Sequence, residues 1–294
     1  GAAIGSILGN SMESSNKSFA SFILETPLDV IWSHINDDQV NIQFLKGSVS
    51  TEIEQQVMLM RSIIKSNEIT DEPCENRHNL ALQHFANLLY QWSAEGVSEH
   101  KQGSCLKSDL SLLNTFRNPL FLTDPLKVSL ESCSYLVANG VATARTSPVI
   151  GCYKFWNSEE VKRNAKDFCS VTHYEGPCIF CTVLISLLIS KNIQNSCRHI
   201  QNIDINSIIE EAFEFCKEES FEFEDEIREF LSAENLGDLV LGDGVHDYVL
   251  KSTGAAVLAL RNGDSFEQAM QNIIREGGDT SVNATITGAL IGSL

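Results

Sequence analysis

Basic residues are scarce in this chain. Among its 294 residues, 21 are Lys or Arg and 39 are Asp or Glu, which gives a formal net charge of -18. A surface with this excess of negative charge repels the phosphates of nucleic acid, so we expect no nucleic acid partner. An anionic ligand such as a pyrophosphate would have to be held in a recessed site by local donors, for example the N–H groups at helix N-termini.

Long apolar runs are also missing from the sequence. The longest run extends from Cys178 to Ser190, and a helix of that size is shorter than the ~20 residues that a membrane-spanning helix needs. The run therefore predicts a buried helix in the core, and we expect no membrane partner.

The cysteines of this sequence match neither a disulfide framework nor a complete zinc site. The nine cysteines are odd in number and scattered along the chain, unlike the cysteines of small secreted domains. Cys178 and Cys181 form a C-x-x-C pair, but a structural zinc ion takes four ligands and no second pair follows. We interpret the pair as two thiols on the buried face of a helix. Free cysteines fit a reducing compartment, so we predict a cytoplasmic protein.

Strand-like alternation of apolar and polar residues is scarce as well. Apolar residues instead recur every three or four positions, as at Ile53, Val57, Met60 and Ile64, which is the pattern of an amphipathic helix. Further helices are predicted near residues 125–138, 159–168, 178–191, 205–217, 222–232, 247–261, 265–275 and 280–294. The sequence therefore predicts an all-α fold.

No low-complexity linker divides the chain. The polar stretches Asn67–Asn79 and Gln91–Asp109 are predicted as loops or connections between helices. The acidic tract Glu210–Glu229 is interleaved with phenylalanines, so we interpret it as a solvated helical hairpin and not as a functional tail. We therefore predict one domain over residues 1–294.

Small residues recur at four-residue spacing at both ends of the chain: Gly1, Gly5 and Gly9, then Ala284, Gly288 and Gly292. On a helix this spacing places them on one face. Such a face allows a second helix to approach closely, and the close packing offsets the poor helix propensity of glycine. We predict that both segments are tightly packed helices and that the helix beginning near Thr280 is central to the fold.

The segment with the most chemistry is Gly277-Gly278-Asp279-Thr280, at the start of the last predicted helix. It places a carboxylate and a hydroxyl beside backbone N–H groups that have no partner within the helix. From residue types alone, Asp279 is either an N-cap residue, which is the commoner role, or a metal ligand. The stretch from Gly277 to Gly292 resembles the G-G-D-T-D-T signature of the ADP-ribosylglycohydrolase family, which precedes a helix of small residues.

Four further segments are similar to motifs of the same family. Residues 1–13 resemble its opening G-x-x-x-G-D-x-x-G-x-x-x-E. Residues 139–151 resemble N-G-x-x-M-R-x-x-P-x-G and residues 170–175 resemble S-x-x-T-H-x-D, with spacing that differs by about one residue in each. Thr51-Glu52-Ile53-Glu54-Gln55 resembles T-D-D-T-Q; Asp37-Asp38-Gln39 is an alternative with the right acids, but clean helical periodicity does not follow it.

The resemblance, which runs from Gly1 to Leu294, implies an all-α orthogonal helical bundle that binds ADP-ribose or an ADP-ribosylated protein. It implies Glu13 as the catalytic residue. It implies Thr51, Glu52 and Asp279 as ligands of magnesium. The residues that it implies around the ligand are Gly140, Arg145, Thr172, His173, Gly277 and Gly278. We therefore expect the catalytic and metal-binding residues to line one cleft together with Gly140 and His173.

The sequence departs from the family pattern where the metal is held. Two Mg²⁺ ions roughly 3.5–4 Å apart need several hard oxygen ligands and negative charges, and the family motifs supply four aspartates. Here Ile53, Ser281 and Val282 stand where the family has Asp, Asp and Thr, and Ser6 replaces a further aspartate. At the four aspartate positions of the two metal motifs only two carboxylates remain, Glu52 and Asp279, so we expect at most one weakly bound Mg²⁺.

Three functions fit this resemblance. The first is a hydrolase that cleaves the bond between ADP-ribose and a protein side chain, with Glu13 as the acid–base group. The second is a catalytically inactive protein that binds ADP-ribose, and the third is a structural role like that of the lens crystallins that share the family fold. Turnover separates the first from the others, and stabilisation by ligand separates the second from the third.

Overall fold

The computed structural model describes residues 1–10, 12–14, 17, 18, 20, 49–69, 73–96, 110–133, 138–200, 203–243, 245 and 247–294. The regular structure of these residues is helical, and no strand occurs among them. Asn139 and Tyr248 form an isolated antiparallel bridge between two loops. The prediction of an all-α fold is confirmed.

The helices are short to medium in length and follow one another through brief connections. In chain order they are α1 (Ala2–Asn10), α2 (Thr51–Asn67), α3 (Cys74–Glu95), α4 (Leu110–Phe116), α5 (Pro125–Ser132), α6 (Val141–Ile150), α7 (Ser158–Ser170), α8 (Gly176–Arg198), α9 (Ile205–Phe215), α10 (Lys217–Ser220), α11 (Glu224–Leu231), α12 (Leu236–Leu239), α13 (Val249–Asn262), α14 (Phe266–Glu276) and α15 (Thr280–Ile291). The helix that the sequence predicts near 125–138 ends at Ser132.

Two of the predicted connections are partly helical. Helix α3 begins at Cys74 and ends at Glu95. The prediction of loops over 67–79 and 91–109 is therefore wrong for residues 74–79 and 91–95. Pro73, which lacks an N–H, precedes the first turn, and Gly96 adopts a φ of 69° just after the last turn. Most residues of the first two turns are polar and exposed, so the apolar pattern that marks a helix appears only from Ala81 onward.

Helix α15 is the centre of the fold, because every residue from Thr280 to Ile291 is buried. It packs against α1, α6, α8, α13 and α14. Helix α1 lies antiparallel along it: a Cβ atom at Gly1, Gly5 or Gly9 would stand 1.8, 2.0 or 2.2 Å from a carbonyl oxygen of α15. Only glycine fits at such distances, so the predicted close packing of the two terminal helices is confirmed.

Helix α8 is the most apolar long helix. Within the described part of the chain, it alone has the length and composition of a membrane-crossing helix: it has 23 residues and contains an 18-residue window with a mean hydropathy of 1.6. The protein buries 89% of that apolar window, which contains the predicted core run. Cys178 and Cys181 are fully buried on this helix, and burial raises the pKa of Cys181 to about 12. Their interpretation as core thiols is confirmed.

Candidate functional site

The carboxylate of Glu13 lies against the N-terminus of α15. Its Oε2 atom accepts a hydrogen bond of 2.9 Å from the backbone N–H of Ser281 and lies 3.5 Å from the hydroxyl oxygen of Thr280. The side chain is buried, with 4% of its residue surface exposed. The N-terminal end of a helix carries partial positive charge and unpaired N–H groups, so it stabilises a carboxylate. An acidic residue from the first part of the chain thereby reaches the start of the last helix.

A double glycine makes the turn that leads into this helix. Gly277 and Gly278 have φ values of 73° and 76°, in a region that glycine adopts readily and other residues rarely do. The carbonyl of Gly278 also accepts a hydrogen bond of 2.9 Å from the N–H of Ser14. Asp279 follows at the N-cap position of α15, but its side chain makes no capping hydrogen bond. Helix capping therefore does not account for this carboxylate.

A pair of serines joins α1 to the N-terminus of α2. The Ser6 hydroxyl donates to Oγ of Ser50 at 2.8 Å and accepts from the backbone N–H of Ser50 at 2.8 Å. Ser6 stands where the family motif has an aspartate, and here it forms a structural link. Thr51 and Glu52, which begin α2, are held beside the helix that leads into Glu13.

Glu52 is a buried carboxylate with one unsatisfied oxygen. It is 1% exposed, and the hydroxyl of Thr51 donates to its Oε1 atom at 3.0 Å. Its Oε2 atom is also buried and has no hydrogen-bond partner among the residues that the structure describes. Leaving a buried carboxylate oxygen without a partner is costly, so this oxygen is suited to a hydrogen-bond donor or a cation. The neighbouring Ile53 and the fully buried Val282 of α15 offer no oxygen to a metal.

Five buried polar side chains form a hydrogen-bonded chain behind α2. Arg145 donates to Oε1 of Gln55 at 3.2 Å and to Oγ1 of Thr172 at 2.6 Å. The same oxygen of Thr172 lies 2.8 Å from Nδ1 of His173. Nε2 of His173 in turn lies 3.2 Å from Oδ1 of Asn139. Oδ1 of Asn139 can only accept, so Nε2 of His173 must donate to it, and the unprotonated Nδ1 of the neutral imidazole accepts from the hydroxyl of Thr172. His173 therefore carries its proton on Nε2 and donates it to Asn139.

Three of the predicted ligand-binding residues belong to this network of hydrogen-bonded side chains. Arg145 and His173 are fully buried and Thr172 is 2% exposed. The guanidinium of Arg145 also lies 5.5 Å from the ring centroid of Phe85. These side chains support the walls of the site from inside, and their contact with a ligand stays a prediction.

The neutral state of His173 gives a testable pH dependence. Burial, and then the positive charge of Arg145, hold the pKa of His173 well below its ordinary value of 6.5. The unfolded chain therefore binds one more proton than the folded protein as the pH falls below about 6.5, and stability is lost in that range at up to about 1.4 kcal/mol per pH unit. Urea unfolding between pH 4.5 and 7.5 should show a shallower dependence for His173→Gln than for the parent, and parallel curves would contradict the buried neutral imidazole.

Gly140 lies where the N-terminus of α6 meets α15. A Cβ atom at this position would stand 2.6 Å from Cγ1 of Val282 and 3.2 Å from Oγ of Ser252. Packing alone therefore requires glycine here, whether or not a ligand binds. Helix α6 also contacts α2, because the side-chain amide of Gln56 donates to the carbonyl of Ala144 at 2.8 Å.

The predicted site residues lie at the N-terminal ends of α2, α6 and α15 or in the hydrogen-bonded network behind α2, and that they line one cleft stays a prediction. Ser50, Gln55 and Asn139 belong to the same region and were not predicted; Gln55 and Asn139 stand inside the recognised motifs, whereas Ser50 gives no signal in the sequence. The alternative acids Asp37 and Asp38 lie outside the described residues. Within the residues that are described, no three His, Cys, Asp or Glu side chains form a group that could hold a metal ion.

Comparison with known proteins agrees with this architecture. The sequence profile of ADP-ribosylglycohydrolases matches residues 1–294. Among solved structures, an "ADP-ribosylglycohydrolase-related protein complex" is similar with a TM-score of 0.53 and 13% sequence identity, over 100% of this chain and 85% of that one. At this identity the likeness concerns the fold. No curated protein sequence matches the chain.

Proposed function

Because the chain belongs to the ADP-ribosylglycohydrolase family, we propose that the site around Glu13 binds the ADP-ribosyl group of a modified protein and hydrolyses its glycosidic bond. The main support is the 2.9 Å hydrogen bond from the Ser281 N–H to Glu13, which holds a buried carboxylate at the start of α15, two residues after Asp279. Carboxylates act as acid–base groups at glycosidic bonds in many enzymes.

In the proposed reaction, water attacks the anomeric carbon of the ribose while the bond to the protein side chain breaks. Glu13 accepts a proton from the water and returns it to the departing side-chain atom, so the products are ADP-ribose and the unmodified side chain. The fixed hydrogen bond from Ser281 orients the carboxylate, and its burial keeps bulk water away from the reacting atoms.

Magnesium fits the proposed site as at most one weakly bound ion. The ligands would be the unsatisfied oxygen of Glu52, the carboxylate of Asp279 and the hydroxyl of Thr51, which are hard oxygen donors of the kind that Mg²⁺ prefers. When bound, the ion would polarise the ribose oxygens and orient the sugar. Ile53 and Val282 add no oxygen where a second ion would need one, so we propose slow hydrolysis by a site with incomplete metal ligands.

Titration calorimetry with ADP-ribose tests the proposed ligand. ADP-ribose should bind one site per chain and raise the Tm, because a ligand that binds only the folded state stabilises it. Titration with MgCl₂ should detect no more than one weak ion. Asp279→Asn, which keeps the side-chain volume, should weaken the binding of Mg²⁺, whereas Asp225→Asn on the exposed face of α11 serves as the matched control.

The outcomes separate the three candidate functions. ADP-ribose binding with release of ADP-ribose from a modified peptide supports the hydrolase, binding without release leaves a binding protein, and absence of both leaves a structural role. Two tightly bound Mg²⁺ ions in the unmodified protein would contradict the proposed incomplete metal site.

A further inference from the structure

We propose a second ligand site, for a small phosphate monoester with an aromatic body, in a cavity at the C-terminal end of α2. The cavity has a volume of about 300 Å³ and lies between the last turns of α2, the first turns of α3 and the start of α7. This volume is near the lower limit for sites that hold small organic ligands. Thr51 and Glu52 lie at the other end of α2, roughly 20 Å away at about 1.5 Å per residue, so the cavity is separate from the candidate hydrolase site.

Arg77 gives the cavity a positive charge that no described carboxylate neutralises. It lies in the first turns of α3, its Nε atom is buried without a hydrogen-bond partner, and it makes no ion pair with any residue that the structure describes. A guanidinium group presents several N–H donors in a plane and binds phosphate oxygens in pairs. A phosphate in the cavity would give the guanidinium of Arg77 the charged partner that the described residues do not supply.

Two further cations on the cavity wall share a single carboxylate. Lys154 Nζ lies 2.9 Å from Glu160, and Arg163 lies 3.2 Å from the other oxygen of the same residue. With Arg77, three cationic side chains therefore stand against one anion, while His78 pairs with Asp167 at 2.8 Å. The N-terminus of α3, a helix of 22 residues, adds partial positive charge.

This local excess of positive charge is notable in a chain whose formal net charge is -18. The side chains that line the cavity carry a surplus of about two positive charges, and Asp167 beside His78 lowers it to about one when that histidine is neutral. The charge balance therefore favours an anionic head group, and the planar N–H donors of Arg77 suit the oxygens of a phosphate.

The remaining wall of the cavity suits an aromatic ring. Tyr153 and Trp156 line the cavity, and Trp156 is 70% exposed. The apolar part of the wall is formed by Ile63, Ala81 and Phe168. Exposed tryptophan rings commonly stack on planar groups of ligands, so a ligand with its phosphate near Arg77 would have its ring beside Trp156.

Binding of phenyl phosphate to the full chain at low ionic strength tests this proposal by calorimetry and by tryptophan fluorescence. Phenyl phosphate should bind more tightly than benzoate or phenol, and it should change an emission signal that Trp156→Phe removes. Arg77→Gln should weaken phenyl phosphate binding roughly tenfold to a hundredfold, the range expected when one charge-assisted hydrogen bond is lost.

Arg117→Gln provides the matched control, because Arg117 is exposed and lies outside the cavity, yet the charge change is the same. Arg163→Gln is measured alongside; its side chain is 52% exposed and its replacement should leave the fold intact. Binding should be unaffected in Arg117→Gln and weakened in the two cavity variants.

Equal affinity of phenol and phenyl phosphate, tighter binding of benzoate, or unchanged affinity in Arg77→Gln would overturn the proposal. The test does not depend on the candidate hydrolase site, since Glu13→Gln should bind phenyl phosphate as the parent does.

Discussion

Replacing Gly5 by alanine should lower the free energy of unfolding by roughly 1–3 kcal/mol or more. The added methyl carbon would stand 2.0 Å from the carbonyl oxygen of Ala284, and that oxygen belongs to a helix backbone that cannot turn aside. Alanine is the better helix former by about 1 kcal/mol, so helix propensity acts in the opposite direction. A measured loss of stability in urea unfolding must therefore come from the contact between α1 and α15.

Ala3→Leu is the matched control for this variant. Ala3 is exposed on the same helix, so the larger side chain should change the unfolding free energy by no more than about 0.5 kcal/mol. Gly288→Leu should also be strongly destabilised, since a Cβ atom there would lie 2.9 Å from the carbonyl oxygen of Gly1 and the rest of the side chain needs further space. If Gly5→Ala is as stable as the parent, the close packing of the terminal helices is wrong.

Replacing Glu13 by glutamine should reduce kcat for the release of ADP-ribose by about 10²- to 10⁴-fold. Glutamine has nearly the same shape, and its carbonyl oxygen still accepts the hydrogen bond from Ser281, but it cannot take a proton from water. The Tm and the affinity for ADP-ribose should therefore stay close to those of the parent. The assay measures the release of ADP-ribose from peptides modified on an arginine or a serine side chain.

Glu131→Gln, at an exposed position on α5, controls for the loss of one negative charge. A Glu13→Gln variant that retains full kcat would remove Glu13 from the proposed chemistry. A variant that loses kcat only together with its folded structure would instead indicate that Glu13 stabilises the start of α15.

The all-α fold and the packing of the terminal helices were accessible from the sequence, because both depend on regular spacing. Small residues at Gly1, Gly5 and Gly9 leave room for a second backbone, and Gly277 and Gly278 permit the left-handed turn before α15. The start of α3 was missed because its first turns are largely polar and exposed. The apolar spacing from Ile53 to Ile64 predicted α2, although three of the four residues in that pattern, all but Ile53, are exposed.

The internal supports of the site were less accessible. Ser6 departs from the family pattern, and its hydrogen bonds to Ser50 depend on how α1 packs beside the start of α2. That packing has no signal in the sequence. Gln55 and Asn139 lie 90 and 34 residues from their partners Arg145 and His173. A single sequence contains no period or spacing that pairs residues over such distances, and the cavity near Arg77 depends on three helices in the same way.

The hydrogen bond between Glu13 and Ser281 joins residues 268 positions apart, and this separation affects how the protein is made. During synthesis the glycine face of α1 is made well before its partner α15, because the two helices are far apart in the sequence. Closing so long a loop is entropically unfavourable and slow compared with local helix formation. The carboxylate of Glu13 therefore reaches its helix terminus only after α15 has been made, so a chain interrupted before Ser281 has no assembled contact between α1 and α15.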